Sequence, residues 1–238
     1  MSCIAHVAVF KCLYIYAHPY NLMSKSQFFF YTALLITGSL LAGCASKPAI
    51  SPEPIAKIKT AEQRSHWLLA NKKWRIRGKI AFIQKIPKVN KTKRESAAIA
   101  WQVDQNKHTQ ELNLTTYLGI NVLRLTSDQH QHLIKVEGKE YRSSNLPQLI
   151  YSLTGLTLPT EALSFWLKGL PYQARDTLRV DKNTQLPISI SSNYHNALWQ
   201  IDFSHYKTFN NINMATKFTI KKDDLLIKLA VKKWTFDN

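Results

Sequence analysis

The chain has 238 residues and a formal net charge of +17, from 32 Lys and Arg against 15 Asp and Glu. An apolar content of 45% excludes a disordered chain, and the cationic excess favours anionic partners such as lipid headgroups, an acidic protein face or nucleic acid. Cys3, Cys12 and Cys44 are the only cysteines, so a disulfide framework or cysteine-bound metal downstream of residue 44 is excluded.

In chain order, the first feature is an apolar run from Phe28 to Leu41, preceded by Lys25 and followed by Leu41-Ala42-Gly43-Cys44. A basic region, a short apolar stretch and small residues at the cut describe an export signal over residues 1–43. The run is shorter than the ~20 apolar residues a comfortable membrane-spanning helix needs. Met23 is an alternative start, since Met23-Ser24-Lys25 opens a signal of ordinary length. Cysteine directly after Leu-Ala-Gly resembles the lipobox of bacterial lipoproteins, in which the thiol takes diacylglycerol before cleavage. That resemblance makes Cys44 the lipid anchor. Ala45 after it, in place of the aspartate that retains such proteins in the inner membrane, implies the outer membrane. Export disfavours nucleic acid as the anionic partner.

Residues 44–54 carry Pro48, Pro52 and Pro54 and read as an extended tether. A single domain is expected over 55–238. It opens with a helical pattern from Ile55 to Lys72, marked by Ile55, Ile58, Trp67, Leu68 and Ala70. The period then switches to two. Trp74 to Phe82 alternates apolar or small residues with cations, and Ala97, Ile99, Trp101 and Val103 continue the alternation, followed by Leu112 and Leu114. Further strands are expected near 120–126, 132–137, 177–181, 186–191, 197–204, 214–221 and 224–234. Between them lies a helical insertion: one helix capped by Ser144, running through Leu153 and ended by Gly155, another capped by Thr160, running through Lys168 and ended by Gly169. Strands with one apolar face each imply a strongly curved antiparallel sheet, with the inserted helices over its concavity.

Catalytic patterns are wanting. The glycines show no phosphate-cradling or nucleophile-elbow spacing. His130 and His132 read as decoration of a polar turn beside Ser127, Asp128 and Gln129, and Asp223-Asp224 as a hairpin turn. No enzyme, cofactor or metal site is expected. Two other features stand out. Residues 72–94 hold ten cations and no acid, and Lys88, Lys91, Lys93 and Arg94 in their second half are candidates for contact with anionic lipid. Thr116-Tyr117-Leu118-Gly119-Ile120 places apolar residues at a strand-to-strand connection, which marks a contact site if exposed.

Several stretches together are similar to the LolB family of outer-membrane lipoproteins: Arg77-Gly78-Lys79-Ile80-Ala81-Phe82, Trp101-Gln102, Leu118-Gly119, Ile227-Lys228-Leu229 and Trp234. The most specific runs from Leu153-Thr154-Gly155 through Leu158-Pro159, Leu163 and Trp166-Leu167 to Gly169-Leu170-Pro171. The resemblance implies an incomplete, unclosed antiparallel β-barrel with a helical lid over a hydrophobic cavity. It implies a protein that takes acylated lipoprotein cargo from a LolA-type periplasmic carrier and inserts it into the inner leaflet of the outer membrane, with outer-membrane phospholipid as the acceptor. A monomer is expected. The family's protruding loop carries an exposed leucine in a Pro-Leu-Gly motif, which maps onto Tyr117-Leu118-Gly119, so Leu118 and Gly119 are implied to form the membrane-insertion loop, with tyrosine in place of proline. Ile80, Phe82, Trp101, Leu112, Leu114, Trp199, Met214 and Phe218 are candidate cavity-lining residues, with Leu149 and Trp166 on the lid. The rival reading is a structural or assembly lipoprotein that holds an envelope partner without carrying acyl chains; it is favoured by a solid interior. An envelope hydrolase stands third.

Overall fold

A computed structural model describes residues 60–86 and 90–237. The export signal, Cys44, the tether and Lys88 lie outside these residues.

The chain enters through α1 (Ala61–Ala70), which begins later than the apolar pattern suggests because Thr60 caps it. The Thr60 hydroxyl accepts from the Gln63 N–H at 3.1 Å, and the Gln63 side chain accepts from the Thr60 N–H at 3.3 Å, closing a reciprocal capping box. Six antiparallel strands follow: β1 (Lys73–Ile86), β2 (Lys91–Asp104), β3 (Thr109–Thr115), β4 (Asn121–Ser127), β5 (His132–Val136) and β6 (Lys139–Ser143). The helical insertion is α2 (Leu146–Thr154) and α3 (Thr160–Trp166). The chain then returns to strands: β7 (Thr177–Val180), β8 (Pro187–Tyr194), β9 (Ala197–Phe209), β10 (Ile212–Lys222) and β11 (Leu225–Asp237).

All eleven strands join one sheet, in the order β6-β5-β4-β3-β2-β1-β11-β10-β9-β8-β7. The two chain-terminal strands of the domain, β1 and β11, pair in its middle (Ile76 with Trp234, Ile80 with Leu229). The edges are β6 and β7, which stay unpaired with each other, so the barrel is unclosed as expected. Helices α2 and α3 connect those two edges.

Period-two alternation decides which face is buried. Trp74, Ile76, Ile99, Trp101, Trp199, Ile201, Phe218, Leu229 and Trp234 all point to the covered side and are buried. Indoles dominate it: Trp74 meets Trp101 edge-on at 5.3 Å and Trp234 at 5.6 Å, and Trp166 from α3 meets Trp199 at 6.0 Å. Such pairs add about 0.5–1.5 kcal/mol beyond area burial. A bulge between Arg77 and Gly78 sharpens the bend of the central strands. A Cβ at Gly78 would lie 2.1 Å from the Ala230 carbonyl oxygen, so only glycine permits that approach.

Three local expectations are corrected. Asn145, not Ser144, caps α2, its side chain accepting from the Gln148 N–H at 3.0 Å. Helix α3 ends at Trp166 rather than Lys168, and Thr160 is its first residue rather than its cap, because Pro159 stands at the cap position. The sixth strand was not expected at all: Lys139-Glu140-Tyr141-Arg142-Ser143 turns only Tyr141 toward the core, and its partner at the edge is supplied by β5 alone.

Candidate functional site

The connection between β3 and β4 is a tight protruding turn. The Thr116 N–H donates to the Ile120 carbonyl at 2.8 Å, the Gly119 N–H to the Thr116 carbonyl at 3.0 Å, and the Ile120 N–H to the Thr116 hydroxyl at 3.1 Å. Closing it requires a left-handed residue, and Gly119 supplies φ of +81°. The turn is therefore fixed from its base while its tip stands in solvent. Tyr117 is 98% and Leu118 79% exposed, with Ile120 and Val122 exposed beside them. Four exposed apolar side chains thus stand within six residues of a well-bonded turn, a pattern that marks a candidate contact surface.

The ten candidate cavity residues divide by depth. Trp101, Leu149, Trp166, Trp199, Met214 and Phe218 are buried, while Ile80, Phe82, Leu112 and Leu114 are half-buried and packed against the main cluster. The half-buried four sit on β1 and β3 toward the same end of the sheet as the Leu118 turn, because Thr115 pairs with Ala98 and Ile80 with Ala97. An opening of about 890 Å³ lies elsewhere, and of the ten residues only Trp199 borders it. Ends of both arms of the sheet surround it: the β2–β3 and β4–β5 turns on one side, the β8–β9 hairpin on the other, with the α2–α3 connection above. Its lining is mixed. It includes Asp104, His108, His132, Glu161 and Lys222, and the Ser127 hydroxyl lies 2.6 Å from His132 Nδ1. Among the described residues, the apolar side chains of the concave face and of α3 pack into one core cluster.

That roof is held at one point by a group the sequence did not announce. Lys168 follows α3 and is fully buried, donating to the Leu68 carbonyl at the end of α1 and to Gln105 Oε1 in the β2–β3 turn, both at 3.2 Å. Burial without a carboxylate lowers its pKa to about 8. Arg64 on α1 reaches the Lys168 carbonyl at 2.9 Å and the Asn213 carbonyl at 3.3 Å, and burial lowers its pKa to about 10. Trp166 at the end of α3 donates from Nε1 to Asp176 Oδ2 at 2.9 Å, and the Tyr172 N–H donates to the same oxygen at 2.8 Å. Asp176 is held below the usual carboxylate range: burial works against this, and hydrogen bonds from Ser192, Trp166 and the Tyr172 and Gln173 backbone outweigh it. In sequence, Lys168 read as an ordinary cation near a helix end; nothing short of the fold distinguishes it.

The described candidate lipid cations do not all share one face. Lys91, Lys93 and Arg94 all lie at the exposed end of β2. Alternation sends Arg94 to the outer face with Ala98 and Ala100, while Lys93 goes to the other side and pairs with Glu95 at 2.8 Å.

The family model of the outer membrane lipoprotein LolB matches residues 72–234. The chain belongs to the LolB family. The outer-membrane lipoprotein LolB of Psychromonas ingrahamii is 32% identical over 201 residues, covering 83% of this chain and 92% of that protein. The LolB of Aeromonas hydrophila is 31% identical over 199 residues, covering 82% and 91%. A crystal structure of a LolA superfamily protein from Nitrosomonas europaea covers 73% of this chain and 94% of its own, at 6% identity and a TM-score of 0.44. Among the described residues no group of three or more His, Cys, Asp or Glu is placed to hold a metal ion, and no helix is long and apolar enough to cross a membrane.

Proposed function

We propose that this LolB-family lipoprotein, anchored to the outer membrane through Cys44, receives acylated lipoproteins from a LolA-type periplasmic carrier and inserts them into the membrane's inner leaflet. The observation that carries the reading is the Leu118 turn: an apolar tip, 79% exposed at Leu118, built on the rim of a sheet whose concave face is apolar.

The physics of the cargo sets the requirements. At about 0.8 kcal/mol per buried CH₂, a 16-carbon acyl chain resists exposure to water by roughly 12 kcal/mol. A transfer protein therefore offers a replacement apolar surface before the carrier lets go. Here Ile80, Phe82, Leu112 and Leu114 form the half-buried threshold, and Leu149 on α2 closes over Leu125 and Ile134, which meet Leu112. Displacing α2 exposes sheet without breaking strand pairs, because that helix is joined to β6 and α3 by short connections only. Leu118 and Gly119 then form the end that engages phospholipid. Transfer runs downhill in free energy, and the domain works as a binding surface without bond-making chemistry.

The rival reading is a structural lipoprotein that holds an envelope partner, and the packed tryptophan core also suits it. One experiment separates the two. Full-length protein reconstituted with carrier and acylated cargo should release cargo from the carrier. Leu118→Glu should still accept cargo but leave it uninserted, read by carbonate-resistant association with vesicles. Failure of the unaltered protein to take cargo sinks the transfer reading, and normal insertion by Leu118→Glu removes the role of the turn.

A further inference from the structure

The outer face of the sheet carries a second feature, away from the concavity. A groove of about 500 Å³ runs over the middle strands, lined by Arg77, Lys79, Ala98, Ala100, Ala230 and Lys232, with Asn113 and Thr115 at one side. Its origin is the bulge at Gly78. Val231 pairs with Gly78 and Lys233 with Arg77, so Lys232 is the unpaired extra residue and is turned outward beside its neighbour. Three alanines on adjacent strands keep the floor low: Lys79 is flanked by Ala98 on β2 and Ala230 on β11. Longer side chains there would fill the groove.

The rim is electrostatically unfinished. Seven ion pairs occur among the described residues, and none uses Arg77, Lys79 or Lys232. By contrast, Arg75 on the same strand is occupied, donating to Gln102 Oε1 at 2.9 Å from Nε. Arg77 also stands directly opposite Lys233, a like-charge pairing that costs stability unless an anion relieves it.

Its position identifies the anion. Thr115 lines the groove and Leu118 is three residues further along the chain, a span of at most about 10 Å. A turn whose tip enters the acyl region of a bilayer thus carries this groove to the level of the headgroups. We propose that the groove between Arg77, Lys79 and Lys232 is a binding site for the phosphate of an anionic phospholipid headgroup, seated over the Ala98–Ala100–Ala230 floor. The site rests on the reading of the Leu118 turn as the membrane-facing end, and it orients the domain with β1, β2 and β11 toward the lipid surface.

The test uses full-length protein in neutral detergent micelles and short-chain lipids below their own micelle concentration. Dihexanoyl phosphatidylglycerol should shift the amide resonances of Ala98, Ala100, Thr115 and Ala230 saturably, and dihexanoyl phosphatidylcholine should do so far more weakly. Replacing Arg77, Lys79 and Lys232 by Gln should weaken the phosphatidylglycerol response roughly 100-fold, since each cation near an anionic headgroup contributes about a factor of five. The same number of charges removed at Lys107, Lys182 and Lys207 should leave it within a few-fold. Equal losses in the two triple variants would reduce the effect to net charge and overturn the site. Saturable shifts with inorganic phosphate at matched concentration would make it a free-phosphate site and overturn the headgroup assignment; so would no shifts at all. Leu118→Glu keeps the amide response, because a monomeric lipid needs no insertion. A Leu118→Glu protein that inserts cargo normally therefore removes the proposed role of the turn while leaving the groove to be judged by its own titration.

Discussion

Helices α2 and α3 cover the same sheet, are adjacent in sequence and are similar in length, yet they are fastened differently. Helix α3 belongs to the main core: Ala162, Leu163 and Trp166 join the cluster of Trp74, Trp199 and Trp234, the Trp166 indole is bonded to Asp176, and Lys168 ties the following turn to α1 and β2. Helix α2 rests on a separate group of Leu125, Ile134, Leu146, Leu149 and Ile150, and leaves Tyr151 59% exposed. Its caps are local, Asn145 at one end and Gly155 at the other. One helix is a fixture and the other a leaf. On the proposed transfer reading, a roof that opens for an acyl chain does so with least loss of native contacts at α2.

The largest expected effect lies on the fixed side. Trp166→Ala removes a fully buried indole and takes one of several hydrogen bonds from the Asp176 carboxylate, and should cost about 3–5 kcal/mol in unfolding free energy by denaturant titration. A loss below about 1 kcal/mol would mean that α3 is as loosely held as α2, and the contrast between them would fail.

Next is a pH dependence that also belongs to the fixed side. The folded-state pKa of Lys168 is lowered from 10.5 to about 8, so between those values the unfolded chain binds more protons and stability rises with pH. The gain from pH 8 to pH 10 should be about 3 kcal/mol at most, with no gain below pH 7 from this group. Tyr172 and Tyr206 have raised pKa values; their contributions are present below about pH 10 and fade only above it, and Arg64 titrates from about 10 upward. The window from 8 to 10 is thus reported mainly by Lys168, and Lys168→Met should flatten it. An unchanged slope in that variant would show the ammonium to be hydrated through an open roof.

On the hinged side, Leu149→Ala should cost about 2 kcal/mol, the low end for a buried leucine, because the small cluster around it can collapse. It should also raise amide exchange across Leu146–Thr154 while leaving Thr160–Trp166 protected. Equal acceleration in both helices would make them one cooperative unit.

The sequence exposed these features unequally, for physical reasons. The long strands were legible because one buried face imposes strict alternation, as at Trp74 to Phe82 and Leu225 to Val231. The edge strand β6 was not, since a strand covered on one side only at Tyr141 carries no such pattern. Leu118 was legible as an apolar residue beside a turn glycine, and its exposure followed from the turn. The groove was hidden. Arg77 and Lys79 read as a solvated strand face, and their meeting with Lys232 depends on a bulge between strands more than 150 residues apart. Lys168 was hidden for the opposite reason: a cation next to a helix end is commonplace, and only the packing of α1 and the β2–β3 turn buries it.

The smallest expected effect on stability belongs to the residue with the largest expected effect on function. Leu118 is 79% exposed and has little packing to lose, and the turn beneath it is held by hydrogen bonds among Thr116, Gly119 and Ile120 in which its side chain takes no part. Leu118→Glu should therefore change unfolding free energy by less than about 0.5 kcal/mol. Gly119→Ala should be costlier, by about 1 kcal/mol, because φ of +81° is strained for any residue with a Cβ even where space is open. If Leu118→Glu proved the more destabilising of the two, Leu118 would be packed in solution. The turn would then be part of the covered core, and membrane engagement would have to be sought at another part of the rim.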